Sequence, residues 1–147
     1  MATTYLSLNY HIVTATKDRR PWIAPSWRPR FHEYLGGTSR GLEAVPLAIG
    51  GVADHVHLLI GLRATHRLSD FVRELKKAGV CWAVRHGDPA FQWQQSYAAF
   101  TVGTSQLEAV RAYVLNQEHH HAPRSSAEEL QDFLRRAGVS YDPKYFE

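Results

Sequence analysis

Two histidines, His55 and His57, stand two residues apart at the start of the run Leu58-Leu59-Ile60. On an extended strand alternate side chains share a face, which puts their Cα atoms about 6.6 Å apart. Imidazole arms at that spacing can converge on one divalent cation. Taken alone, the pair also reads as two half-exposed histidines at a strand end. The apolar run behind it argues that the strand is buried and central, where a same-face histidine pair needs a polar purpose. A second set stands at i, i+3, i+4 and i+7 of a helix: Tyr113, Asn116, Gln117 and His120. A phenol acts as a nucleophile when its ionisation is made cheaper. A nearby cation does this and also polarises a phosphoryl oxygen. The amide oxygen of Gln117, one turn beyond Tyr113, can complete a metal site begun by the histidines. Asn116 and His120 share that face as supporting groups. The same stripe also fits a solvent-exposed amphipathic helix with an incidental tyrosine. Asp54 reads either as an acceptor that orients a histidine or as a turn residue. In His119-His120-His121, neighbours diverge by about 100° each, so the three cannot all bind one ion. His119 and His121 suit the negative end of a helix.

The elements that must position these groups follow from patterning. Tyr5 to Thr16 alternates as a strand. Lys17 to Pro29 is a basic connection with three prolines. Phe31 to Leu35 reads as a short helix stopped by Gly36-Gly37. Leu42–Val52 and His55–Leu62 form an antiparallel pair around an Ala53-Asp54 turn. Ser69 caps a helix running to about His86, closed by Gly87 and Pro89. Trp93 to Val102 reads as a strand. Ser105-Gln106-Leu107-Glu108 has the form of a capping box, opening a helix to about Ala122. A last helix starts at Ser126 and stops at Gly138. The order predicts an α+β, ferredoxin-like (RRM-like) βαββαβ sheet sandwich with additional C-terminal helices. Its first and third strands are central.

The chain of 147 residues is expected to form one domain, 1–147. One cysteine, Cys81, excludes an internal disulfide and a Cys-based zinc site. No apolar run reaches the length of a membrane span and no secretory h-region is present, so the expected location is cytoplasmic, with no membrane partner. The net charge of +3 hides a map. Residues 1–40 and 63–86 each carry six Lys/Arg against two acids, residues 41–62 carry two acids and no Lys/Arg, and residues 87–147 carry five against eight. Two basic blocks thus flank the histidine pair and can hold a polyanion, or are ordinary solvated faces. Candidate phosphate contacts are Arg73, Lys76 and Lys77 at helical spacing, Arg63 and Arg67 before them, and Lys17, Arg19, Arg20, Arg28 and Arg30 in the Pro-rich connection. Trp22 and Trp27 in that connection can stack on unpaired bases or join the core; Trp93 is equally open, and Trp82 reads as core.

Three blocks carry a resemblance: Tyr10-His11-Ile12-Val13, Asp54 to Ile60, and Tyr113-Val114-Leu115-Asn116-Gln117-Glu118-His119-His120. They resemble the HUH single-tyrosine transposases of small bacterial insertion sequences, including relatives associated with repetitive extragenic palindromes. Phe91 to Phe100 and Gly138 to Tyr145 are similar to further blocks of that family. The resemblance implies that His55, His57 and Gln117 bind Mg2+ or Mn2+ and that Tyr113 is the nucleophile. It implies cutting and rejoining of single-stranded DNA with hairpin ends, through a 5′-phosphotyrosine link and a free 3′-OH. It also implies a homodimer, in which the tyrosine can act in trans. A domesticated relative that processes host palindromes has the same site. A non-catalytic RRM-like binding module shares the element order, but should carry aromatics on its third strand, where this chain has His55, His57 and Leu59.

Overall fold

The structure, a computed structural model, describes residues 3–117 and 125–142. Strands β1 (Asn9–Ala15), β2 (Val45–Val52), β3 (His55–Gly61) and β4 (Ala98–Val102) form one antiparallel sheet in the order β2-β3-β1-β4. The central positions of β1 and β3 are those expected. Helices α1 (Arg28–Gly41) and α2 (Leu68–His86) separate the strands, and α3 (Leu107–Leu115) and α4 (Ser126–Arg136) follow.

Strand β3 is buried on both sides. Val56, Leu58 and Ile60 are fully inaccessible and meet Phe31, Leu35, Phe71, Leu75 and Phe91 beneath α1 and α2. Each such side chain contributes about 1.5–3 kcal/mol on burial. A one-residue slip would turn all three to the other face, so the same packing fixes which way the histidines point. His55, His57 and Leu59 occupy that other face, where Leu59 packs with Ala48, Val102 and Val114 under α3. Gly50 lets α3 lie this close to β2, because a Cβ there would overlap the Val114 carbonyl.

Several boundaries differ from those predicted. Helix α1 runs 14 residues, straight through Gly36-Gly37. A glycine costs about 1 kcal/mol inside a helix, less than the burial of Phe31 and Leu35 returns. A Cβ at Gly36 would make only ordinary contact with Ile49, at 3.6 Å, and one at Gly37 would meet nothing within 4 Å, so neither glycine is demanded by packing. Helix α2 starts at Leu68 with Arg67 at the cap position, and α3 starts at Leu107 after a 3-10 turn over Thr104–Gln106. Neither cap makes a side-chain hydrogen bond, so Ser69 and Ser105 do not play the expected roles. The last helix starts at Ser126 as expected, with Ser125 Oγ as its cap accepting from the Glu128 N–H at 3.2 Å. β4 begins at Ala98, five residues after Trp93, which makes an isolated bridge to Thr16. β1 begins at Asn9, with Tyr5 and Leu6 exposed. The tyrosine helix, expected to run to Ala122, ends at Leu115 with Asn116 at its C-cap, and His119, His120 and His121 lie outside the described residues.

Candidate active site

The turn before β3 is fastened before the histidines begin. Thr16 is fully buried: its N–H donates to the Asp54 carbonyl at 2.9 Å, and its Oγ1 lies 2.7 Å from the Arg20 carbonyl and 3.1 Å from that of Asp54. The Ile23 N–H donates to the Ala53 carbonyl at 2.9 Å. Arg28, predicted to touch DNA, is instead buried and donates through Nε and Nη2 to the Ile23 carbonyl, at 3.1 and 2.8 Å. This backbone chain holds Asp54, whose Oδ1 lies 2.7 Å from His55 Nδ1. A carboxylate there keeps the proton on Nδ1 and presents Nε2 as the ligand nitrogen.

His55 and His57 are 2 % and 1 % exposed and share the α3 face, as alternation requires. His57 Nδ1 lies 2.7 Å from Nε2 of His11, a diagonal neighbour on β1, and His57 Nε2 lies 3.0 Å from Glu129 Oε1 on α4. Burial pushes His57 down to about 3 against the opposing pull of Glu129, and pushes His11 down to about 4. Both rings are therefore neutral near pH 7, the form a metal requires of an imidazole ligand. One donor atom each from His55, His57 and Glu129 lie within 4.8 Å of one another, all buried. Two imidazole nitrogens and a carboxylate oxygen at that separation fit a divalent cation.

Tyr113 stands over this cluster. Its ring centre is 5.7 Å from that of His57 and 6.2 Å from that of His11, both edge-on. Phe133 of α4 covers it at 5.4 Å, and the Tyr113 hydroxyl is buried. Gln117, 1 % exposed, donates from Nε2 to the Tyr113 carbonyl at 3.1 Å, which turns Oε1 to the opposite side of the amide. Asn116 is exposed and its amide donates to the Ala112 carbonyl at 2.8 Å. It closes the helix and is not turned toward the histidines.

The basic candidates are scattered. Arg19 is the one that reaches the histidines: it lines the same small space as His55, His57 and Glu129, and Asp54 acts on its charge. Lys76, expected in a phosphate stripe with Arg73 and Lys77, turns inward and donates to the Gln94 and Ser96 carbonyls. Arg73 pairs with Asp70 at 3.1 Å and Glu74 at 3.6 Å, and Arg63 with Glu43 at 3.6 Å. Lys17, Arg20, Arg30, Arg67 and Lys77 are exposed. Trp27 is core, and Trp22, Trp82 and Trp93 pack against it, so base stacking by these rings is not supported.

Two residues of the cluster received no role from the sequence. His11 is one of the alternating polar positions of the first strand and part of the Tyr10–Val13 block, and its signal is parity: position 11 falls on the histidine face once β1 pairs with β3. Glu129 lies in the first turn of the last helix. Its signal was the stripe Glu129, Leu130, Phe133, Leu134, where a carboxylate occupies an apolar position.

The centre of the outer face of β1 and β3 is covered by α3 and α4, with His11, His57 and Leu59 at most 2 % exposed. That excludes the open sheet surface of an RRM-like binding module. Among described helices, none is long and apolar enough to cross a membrane. Comparison with known proteins agrees. No curated protein matches the chain at a significant level. An inferred transposase from Deinococcus radiodurans R1 superposes with a TM-score of 0.64 at 25 % identity, over 80 % of this chain and 96 % of that one. A REP-associated tyrosine transposase, solved bound to a REP hairpin, superposes with a TM-score of 0.61 at 14 % identity, over 83 % and 73 %. The family model for IS200-like transposases matches residues 4–117, from before β1 through Gln117. The chain belongs to the IS200-like transposase family.

Proposed function

We propose that this transposase cuts and rejoins single-stranded DNA through a covalent 5′-phosphotyrosine on Tyr113, at a site where His55, His57 and Gln117 hold Mg2+ or Mn2+. The observation that carries the reading is the Tyr113 ring 5.7 Å from a buried, neutral histidine that belongs to a three-donor cluster. When bound, the cation supplies Lewis-acid polarisation of the scissile phosphate and favours the phenolate. The phenol loses its proton as its oxygen bonds to phosphorus. The bond from phosphorus to the 3′ oxygen breaks, and that oxygen leaves as a hydroxyl by taking up a proton. The reverse attack by a 3′-OH rejoins a strand without an external energy source. Asp54 holds His55 in one tautomer throughout. Arg19, lining the same space, is placed to neutralise a phosphate oxygen.

Tyr113 sits beside the histidines of its own chain, which favours action in cis and makes a dimer unnecessary for assembling the site. With α4 docked, Glu129 occupies the third donor position and Phe133 covers the nucleophile. DNA would reach the hydroxyl once α4 withdraws, and Gln117 Oε1 would then be the third donor, beside the two histidine nitrogens. Hairpin-bearing strands are the expected substrate, by extension from the hairpin-bound fold neighbour.

The test uses hairpin-bearing single strands from DNA flanking the gene, labelled at either end, with and without Mn2+. A Mn2+-dependent, denaturant-resistant protein band carrying the 3′ label and a shortened free strand carrying the 5′ label are expected. A protein band with the 5′ label, or cleavage indifferent to chelator, contradicts the reading.

A further inference from the structure

The two histidines are oriented by partners of different kinds. His55 Nδ1 meets a carboxylate, Asp54 Oδ1, at 2.7 Å. A carboxylate accepts and cannot donate, so His55 is committed to one tautomer. His57 Nδ1 instead meets another imidazole, His11 Nε2, at the same 2.7 Å, while its Nε2 faces Glu129 Oε1 at 3.0 Å. An imidazole nitrogen either donates or accepts according to tautomer. His11 is 2 % exposed and wedged among the rings of Phe100, Tyr113 and Phe133, of which the first two stay beside it when α4 withdraws.

We propose that His11 is a positioning residue that lets His57 exchange tautomers as its Nε2 passes from Glu129 to a metal ion. This rests on the metal reading above. With α4 docked, the Glu129 carboxylate 3.0 Å away favours the proton on His57 Nε2, and His11 Nε2–H then donates to His57 Nδ1. With a cation on Nε2 the bridge reverses, and His57 Nδ1–H donates to His11 Nε2. Each ring holds one proton in both arrangements. The bridging proton crosses from His11 to His57, the Nε2 proton of His57 is lost to solvent, and His11 regains one at Nδ1. A carboxylate in place of His11 would fix the metal-ready tautomer and forfeit the bond to Glu129. His11 thus makes the closed and the metal-bound sites accessible to the same chain.

Long-range 15N–1H spectra of the histidine-labelled full chain, with and without Zn2+ as a diamagnetic probe, test this directly. His57 is expected to change from Nε2–H to Nδ1–H on adding Zn2+, while His55 remains Nδ1–H. His11→Phe, which keeps a planar ring without a nitrogen, is expected to raise the Mn2+ dissociation constant about tenfold, and His11→Gln to restore most of the affinity. An unchanged His57 tautomer, or wild-type Mn2+ affinity in His11→Phe, overturns the role of His11. A wild-type chain that binds neither metal overturns the metal reading itself, and the two failures are separate in the data. The tautomer measurement needs no variant, so poor folding of His11→Phe does not shield the proposal.

Discussion

The two faces of β3 use opposite physics within seven residues. On one face, Val56, Leu58 and Ile60 meet helices through apolar contact, where volume and shape decide the energy. On the other, His55 and His57 are buried to the same degree, yet their close partners are polar or directional: Asp54, His11, Glu129 and the edge of Tyr113. Burying neutral imidazoles is costly unless each nitrogen finds a partner. The apolar face provides the stability that offsets this cost, and the polar face holds reactive groups at fixed separations. Substitutions on the two faces should therefore separate stability from activity.

The largest separation is expected for Tyr113→Phe. It should reduce covalent adduct formation by about 10³-fold or more while the thermal midpoint stays near wild type. Phe31→Ala, on the apolar face, should cost about 3–5 kcal/mol in denaturant unfolding. Its remaining folded fraction should cleave at the wild-type rate. Glu129→Ala removes a charge-assisted contact and should lower stability by about 1.5–3 kcal/mol. It should also raise the rate of adduct formation severalfold, because α4 then leaves the site more readily; a slower rate would show that Glu129 belongs to the working metal site.

The pH dependence sharpens the same contrast. His11 and His57 titrate below the unfolded value of 6.5, at about 4 and about 3. The unfolded chain therefore binds protons that the folded chain refuses. Stability should be complete above about pH 6.5 and should fall as the pH drops toward about 4. His11→Phe should flatten that decline in a thermal series. The smallest effect belongs to Arg73→Ala, which breaks exposed ion pairs and should change stability by less than about 0.5 kcal/mol.

The strand carrying His55 and His57, its central place and the tyrosine helix were legible because period and parity are local properties. The N-terminal limits of α2 and α3 were not, since Ser69 and Ser105 matched capping patterns that the packing of Phe71 and Val114 did not honour. Gly36-Gly37 resembled a stop, because the burial of Phe31 and Leu35 that carries α1 through them is a tertiary fact. Arg28 looked like a DNA contact because its acceptor, the Ile23 carbonyl, is backbone and leaves no mark in composition. Glu129 and His11 joined the site from 72 residues after and 46 residues before His57, distances at which spacing carries no information. Their parity within each element was visible, but only the packing of α4 and β1 gave it meaning.

The most direct measurement is mass spectrometry of the adduct formed with Mn2+ and a hairpin-bearing single strand, after digestion of both protein and DNA. The expected product is a peptide carrying a nucleotide through its 5′ phosphate on the Tyr113 oxygen. An adduct on another residue, a 3′-phosphate link, or cleavage with no adduct at all would contradict the assignment of Tyr113 and its histidine cluster as the active site.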